Sequence, residues 1–181
     1  PVLVITCAFS RFMLAVMIPT RKTEDLLLGM WHLLTQLGAV PRRLLWDKES
    51  GIGRGKLTEP AAVFAGSLAT TIKLLPPRDP ESKGIVERRN GFFETSFMPG
   101  RHFASPLDFN DQLGGWLATA NQRVVRTTKA APADRLETDR AAMPGLPPVP
   151  PLVGWRSQVR LGRDYYVRVD SNDYSVDPTW I

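Results

Sequence analysis

Residues 80–90, PESKGIVERRN, place one acidic side chain, Glu87, among proline, glycine and basic residues. Apolar residues recur around this stretch at helical spacing, which predicts a helix from about Ser82 to Phe97. Glu87 then shares a polar face with Asn90 and Gly91. Glycine costs about 1 kcal/mol relative to alanine inside a helix, so Gly91 suggests that a bulky group approaches this face. The alternative is an ordinary solvated surface.

A second acidic residue, Asp47, ends the apolar run in LLWDKESG, residues 44–51. Functional side chains in α/β folds gather where strands end and loops begin. A carboxylate from a strand end and one from a helix suit Mg²⁺ or Mn²⁺, which take few protein oxygens and leave positions for substrate phosphate. Such a pair can support two-metal phosphoryl transfer. The alternative for Asp47 is a loop or helix-capping aspartate.

Composition limits the class of protein. The 181 residues are 43% hydrophobic, enough for one core and part of a second, and the net charge of +5 favours a polyanionic partner. The single cysteine, Cys7, lies in an apolar run, which predicts a buried thiol in a reducing compartment. The most apolar stretch, Leu26–Val40, is too short to span a membrane, and no signal peptide is recognisable. The sequence therefore predicts a cytoplasmic protein.

Hydrophobic periodicity predicts an α/β fold with a mixed sheet flanked by helices. The chain begins with a covered β-hairpin, residues 2–9 and 12–18. A helix capped by Thr23 and ended by Gly38 follows. Further along, we predict a buried strand at Arg43–Trp46, a helix starting at Thr58, a strand at Thr71–Leu75 and a helix from about Pro106 to Val125.

The composition changes at residues 144–151, PGLPPVPP, which favour an extended spacer. This change predicts three segments: a core at 1–143, a proline-rich linker at 144–154 and a β-rich segment at 155–181. The last segment has too few strands for an independent sheet.

The motif PxSxGxVExxN at residues 80–90 resembles the third-carboxylate motif of the DDE transposase and retroviral integrase superfamily, whose fold is ribonuclease-H-like. The segment WDKES, residues 46–50, resembles the second-carboxylate segment, and the spacing of 39 residues between Asp47 and Glu87 is similar to that of the group. The tail YYVRVDSNDYSVDP, residues 165–178, resembles the start of the small β-barrel domain in IstA-type insertion-sequence transposases.

This resemblance implies the catalytic core of a DNA transposase that cleaves a DNA strand with water and then joins the freed 3′-hydroxyl to target DNA. It implies Mg²⁺ or Mn²⁺ held by Asp47 and Glu87. It also implies a homo-oligomer on bacterial nucleoid DNA and an ATP-binding helper protein. The residues expected to contact DNA are Lys83, Arg88, Arg89 and Asn90.

One departure from the family concerns the first catalytic aspartate, which lies on a strand before the hairpin. Neither Asp25 nor Asp79 is in a position to replace it. We therefore expect an internal fragment, inactive alone, whose first aspartate precedes Pro1. Two alternatives stay open: a ribonuclease-H-like nuclease that uses water only, and a catalytically incomplete DNA-binding or assembly module.

Other polar residues are weaker candidates. For Glu49 and Glu94 a solvated or salt-bridged role is favoured over metal binding, and His32 and His102 have no cysteine partners for zinc. A basic cluster follows the helix that begins at Pro106, where it could touch the DNA backbone or complement the helix dipole. Its members are Arg123, Arg126 and Lys129.

Overall fold

The computed structural model describes residues 1–47, 49–75, 91, 93–154, 160–169 and 171–180. Within these ranges the chain forms six strands and four helices, followed by a 3₁₀ turn at Pro178–Trp180. The strands are β1 (Val2–Thr6), β2 (Met13–Met17), β3 (Arg43–Trp46), β4 (Thr71–Leu74), β5 (Tyr166–Val169) and β6 (Asn172–Ser175). The helices are α1 (Thr23–Leu37), α2 (Glu59–Ser67), α3 (Pro106–Gln122) and α4 (Pro132–Ala141). Residues 93–96 are also helical.

The described strands pair in three ways. β1 and β2 form an antiparallel hairpin, β3 and β4 run parallel, and β5 and β6 form a second antiparallel hairpin. A parallel pair needs a crossover connection, and α2 supplies it between β3 and β4. The predicted hairpin and the helices between the later strands are therefore confirmed. The described strands show both antiparallel and parallel pairing, as in the predicted mixed sheet, but in three separate two-stranded sheets.

The first hairpin is covered on both faces, as predicted. Its alternate residues divide between two cores: Leu3 and Ile18 join the core beneath α1 and α2, whereas Met13 and Ala15 join an aromatic core beneath α3. Gly29 lets α1 approach closely, because a Cβ there would lie 2.7 Å from Ile18 Cγ2 and 3.1 Å from Leu3 Cδ2. A larger residue at this position would push α1 away from the sheet.

Two asparagines of α3 bind the outer edge of β2. Asn121 is 5% exposed, and its side chain accepts from Met13 N (2.9 Å) and donates to Met13 O (2.9 Å). Asn110 Oδ1 accepts from Met17 N at 2.7 Å. These bonds satisfy backbone groups that a sheet edge would otherwise present to another strand, so α3 protects this edge from further pairing.

Three local predictions are wrong. Thr23 is not the N-cap of α1, since it is already helical. Lys22 occupies the N-cap position and makes no side-chain cap bond. β3 is not buried throughout, because its side chains alternate and Leu45 is 49% exposed. We also did not predict α4. Most of its residues are charged or polar, and only Pro132 and Leu136 are buried.

The proline-rich segment lies against the core. Val40 N donates to Pro144 O at 2.9 Å, and Leu146 and Val153 pack against the core beneath α1 and α2. Residues 147–152 also line a groove along α2. The division into a core and a separate C-terminal unit stays a prediction. None of the helices in the described ranges is long and apolar enough to cross a membrane.

Cys7 is buried, as predicted, with 6% of its surface exposed. Burial, reinforced by the negative charge of Asp139, raises the pKa of its thiol from 9.0 to about 11. The thiolate is the reactive form, so we expect native protein to react with iodoacetamide at pH 8 at least about tenfold more slowly than urea-unfolded protein. The stability contributed by the protonated thiol is present below pH 9 and is lost as the pH rises toward 11. Equal alkylation rates in the two states would contradict this prediction.

Candidate active site

Asp47 follows β3 directly and is exposed at the end of that strand. Because β3 and β4 are parallel, their carboxyl ends lie at the same edge of the sheet. Leu75 N donates to Trp46 O at 2.8 Å, so the pairing with the β4 side continues up to the residue before Asp47. The structure thus places this carboxylate at the end of a paired strand, where a functional group of an α/β fold is expected.

The loop after Asp47 is held by its own backbone bonds. Glu49 N donates to Asp47 O at 2.7 Å, and Glu49 O accepts from Ile52 N (3.0 Å) and Gly53 N (2.8 Å). Ile52 is fully buried, and its carbonyl accepts from Thr58 N at 2.8 Å at the start of α2. The loop therefore connects the strand end to α2 through a short anchored turn.

An ion pair ties the same loop to the start of α1. Arg21 Nε donates to Glu49 Oε2 at 2.7 Å, and a second guanidinium nitrogen also contacts that oxygen. The Glu49 side chain is 14% exposed. Gly51 fits closely here, since a Cβ would lie 2.6 Å from Arg21 O. This confirms the salt-bridged role predicted for Glu49, but its partner is 28 residues away, and no local sequence signal identified it.

Several predicted site residues lie outside the described residues: Lys83, Glu87, Arg88, Arg89 and Asn90.

Two neighbours of these residues along the chain are described. Glu94 is exposed, in agreement with the predicted solvated role. A Cβ at Gly91 would meet nothing within 4 Å, so no described part of this chain makes the close approach suggested for that glycine.

The donor set at the strand end can be compared with a metal site. The described ranges contain no group of three or more His, Cys, Asp and Glu side chains placed to hold a metal ion. Asp47 fits a hard divalent cation, because its exposed carboxylate offers the oxygen donors that Mg²⁺ prefers and leaves room for water. The metal site formed jointly by Asp47 and Glu87 stays a prediction.

Comparisons with known proteins identify relatives of both parts of the chain. Residues 146–181 match the family model of the Mu transposase C-terminal domain. The chain is 28% identical over 168 residues to "Putative transposase y4bL/y4kJ/y4tB" of Sinorhizobium fredii (strain NBRC 101917 / NGR234). That match covers 87% of this chain and 32% of the relative, so the chain spans about a third of the relative's length.

Two solved structures share the fold. The catalytic core domain of BIV integrase superposes with a TM-score of 0.61 at 15% identity, covering 78% of this chain and 88% of that one. A chain of the simian T-cell lymphotropic virus intasome in complex with the PP2A regulatory subunit B56 gamma gives a TM-score of 0.61 at 20% identity, covering 91% of this chain and 55% of the other. The predicted integrase-core fold is confirmed.

The sequence matches add a relationship to the shared fold. One match is to a transposase domain in the tail and the other to a transposase over most of the chain. Together with the integrase-core fold, they confirm the predicted relationship to the transposase and retroviral integrase superfamily. The tail match begins at residue 146, inside the segment predicted to be a linker.

Proposed function

We propose that this chain is the catalytic part of a DNA transposase. In this proposal the full-length protein cleaves DNA at the ends of a mobile element and joins the freed 3′-hydroxyls to target DNA, in the manner of a polynucleotidyl transferase. The observation that carries the proposal is the exposed Asp47 at the carboxyl end of β3 in an integrase-core fold.

Asp47 and Glu87 are the proposed ligands of Mg²⁺ or Mn²⁺. When bound, the metal ions lower the pKa of the attacking water or hydroxyl and stabilise the leaving oxygen. The protein holds Asp47 at the end of a paired strand, so little reordering of this carboxylate is needed when metal and DNA arrive. Lys83, Arg88, Arg89 and Asn90 are the proposed contacts to DNA near the reacting phosphate, where basic side chains fix position without reading sequence.

The proposed partners follow from the same relationship. Element ends and target DNA are the substrates, and cutting two ends in concert requires a homo-oligomer assembled on DNA. We also propose that the protein is of the IstA type and works with an ATP-binding helper protein. This proposal rests on the similarity of residues 165–178 to the IstA-type transposases. We expect the protein to act on DNA of the bacterial nucleoid. The division into a core at 1–143, a linker at 144–154 and the start of a β-barrel at 155–181 belongs to the same proposal.

A strand-transfer assay tests this function. The full-length protein is incubated with duplexes carrying the ends of its own genetic element and with a supercoiled plasmid, in Mg²⁺, Mn²⁺ or EDTA. We expect plasmid joined to the duplex only with a divalent metal. Hydrolysis without joined product would favour the nuclease alternative. DNA binding with neither reaction would favour an assembly module.

A further inference from the structure

A rigid basic turn follows α3. Val125 N donates to Ala130 O at 3.0 Å, and Thr128 N and Lys129 N both donate to Val125 O, at 3.1 and 2.8 Å. The Thr128 hydroxyl adds contacts to the carbonyls of Val125 and Ala130. Arg126 and Lys129 lie on this closed turn, Arg123 lies two residues before it, and all three side chains are exposed. We call these three residues the cationic turn.

The dipole of α3 does not account for Arg126 and Lys129, which lie three or more residues beyond the C-cap, Arg123. The last turn of α3 contains no basic residue, and Arg123 has left the helix with φ −76° and ψ 132°. In the part of the chain that the structure describes, no carboxylate forms an ion pair with any of the three. None of the described carboxylates neutralises their charge.

The helix that follows the cationic turn, α4, offers it little compensating negative charge. Of the acidic residues on neighbouring α4, Glu137 pairs with Arg140 and Asp139 accepts from Ser10 N at 2.9 Å. Only Asp134, in the first turn of α4, lacks such a partner, and there it complements the dipole of that helix.

The loop after Asp47 and the C-terminal end of α4 contact opposite ends of α1. The loop after Asp47 contacts the start of α1 through Arg21 and Glu49. At the other end, Arg140 of α4 donates to Leu37 O at 2.8 Å. The same α4 binds the β1–β2 turn through Ser10, and the end of α3 binds the start of β2 there. Since α1 has 15 residues, the two ends are about 22 Å apart.

We infer that the cationic turn is a second DNA contact, which binds backbone phosphates of duplex DNA away from the bond that reacts at Asp47. Exposed Arg and Lys side chains that form no ion pair with a described carboxylate, on or beside a hydrogen-bonded turn, can match phosphate charges without reading bases. The inference rests on the proposed function only for the choice of DNA as the polyanion. It requires no metal and no chemistry at Asp47.

The test measures binding of a fluorescent 25-bp duplex by this chain in EDTA over a series of salt concentrations. The neutral variant is Arg123→Ala/Arg126→Ala/Lys129→Asn, with asparagine at 129 because Lys129 has φ 51°, a conformation that asparagine tolerates. The control retains charge at the same positions: Arg123→Lys/Arg126→Lys/Lys129→Arg. Thermal unfolding checks that both variants fold as the wild type does. A duplex RNA of the same sequence serves as a competitor.

We expect the neutral variant to bind at least about tenfold more weakly at low salt, and its slope of log K against log salt to fall by about 0.9 for each lost phosphate contact. The charge-retaining variant should keep the wild-type slope. A neutral variant with the wild-type slope would overturn the inference, as would equal loss in both variants. RNA that competes tenfold better than DNA would overturn the choice of DNA. Because no strand is cut in this assay, failure here and failure of joining are separate results.

Discussion

Replacing Asp47 with asparagine in the full-length protein is expected to reduce strand cleavage and joining by on the order of a thousandfold, equivalent to about 4 kcal/mol of lost transition-state stabilisation. Asparagine keeps the size of the side chain and its place after β3 but removes the charge that attracts a divalent cation. The strand pairing that ends at Trp46 and Leu75 does not involve this side chain, so the fold should persist. Glu87→Gln should have an effect of the same order.

The measurement is the rate of joining of pre-cleaved element ends in Mg²⁺, beside DNA affinity in EDTA. Asp25→Asn is the matched control. Asp25 lies in the first turn of α1, accepts a hydrogen bond from Thr20 and is not a proposed ligand. We expect it to keep joining within a few-fold of wild type. An Asp47→Asn protein that joins ends at the normal rate would remove Asp47 from the site, whereas loss of DNA affinity alone would indicate a binding role.

The elements predicted correctly are those with strong local signals. Continuous apolar runs in β1 and β2, which leave no polar face and whose side chains divide between two cores, mark a covered hairpin. Gly38 ends α1 because it adopts φ 75°, a left-handed conformation that glycine enters without strain. Pro60 stands at the start of α2, where a proline loses no helical hydrogen bond. These signals act over a few residues and can be read directly.

The interactions that the sequence did not reveal join residues far apart in the chain. Asn121 binds Met13 across 108 residues, and Arg21 binds Glu49 across 28. Asparagine and glutamate in such positions look like ordinary surface residues until the fold brings their partners together. The missed helix α4 is similar, since it is stabilised by contacts of Asp139 and Arg140 with distant segments rather than by a broad apolar face. For Glu87 the family motif, rather than any contact described here, carries the assignment.

Phe97→Ala is expected to destabilise the folded chain by about 3–5 kcal/mol, the cost of emptying a large aromatic site in a close-packed core. Phe97 is fully buried. Its ring lies 5.2 Å from Phe93, 5.4 Å from Phe109 and 5.5 Å from Trp116, centroid to centroid. One truncation therefore removes several aromatic contacts and leaves a cavity beneath α3.

The free energy of unfolding, measured by urea denaturation, checks this value. Small domains are stable by only about 5–15 kcal/mol, so the midpoint should fall markedly while the slope stays constant. Met98→Ala is the control: Met98 is the next residue but is 41% exposed, and its loss should cost less than about 1 kcal/mol. Equal effects of the two variants would mean that Phe97 does not anchor this core.

The same substitution is expected to affect the proposed active site, because Phe97 ends the predicted helix from Ser82 that carries Glu87. Phe97→Ala protein that is still folded at low temperature should therefore join DNA ends more slowly, although its side chain touches no substrate.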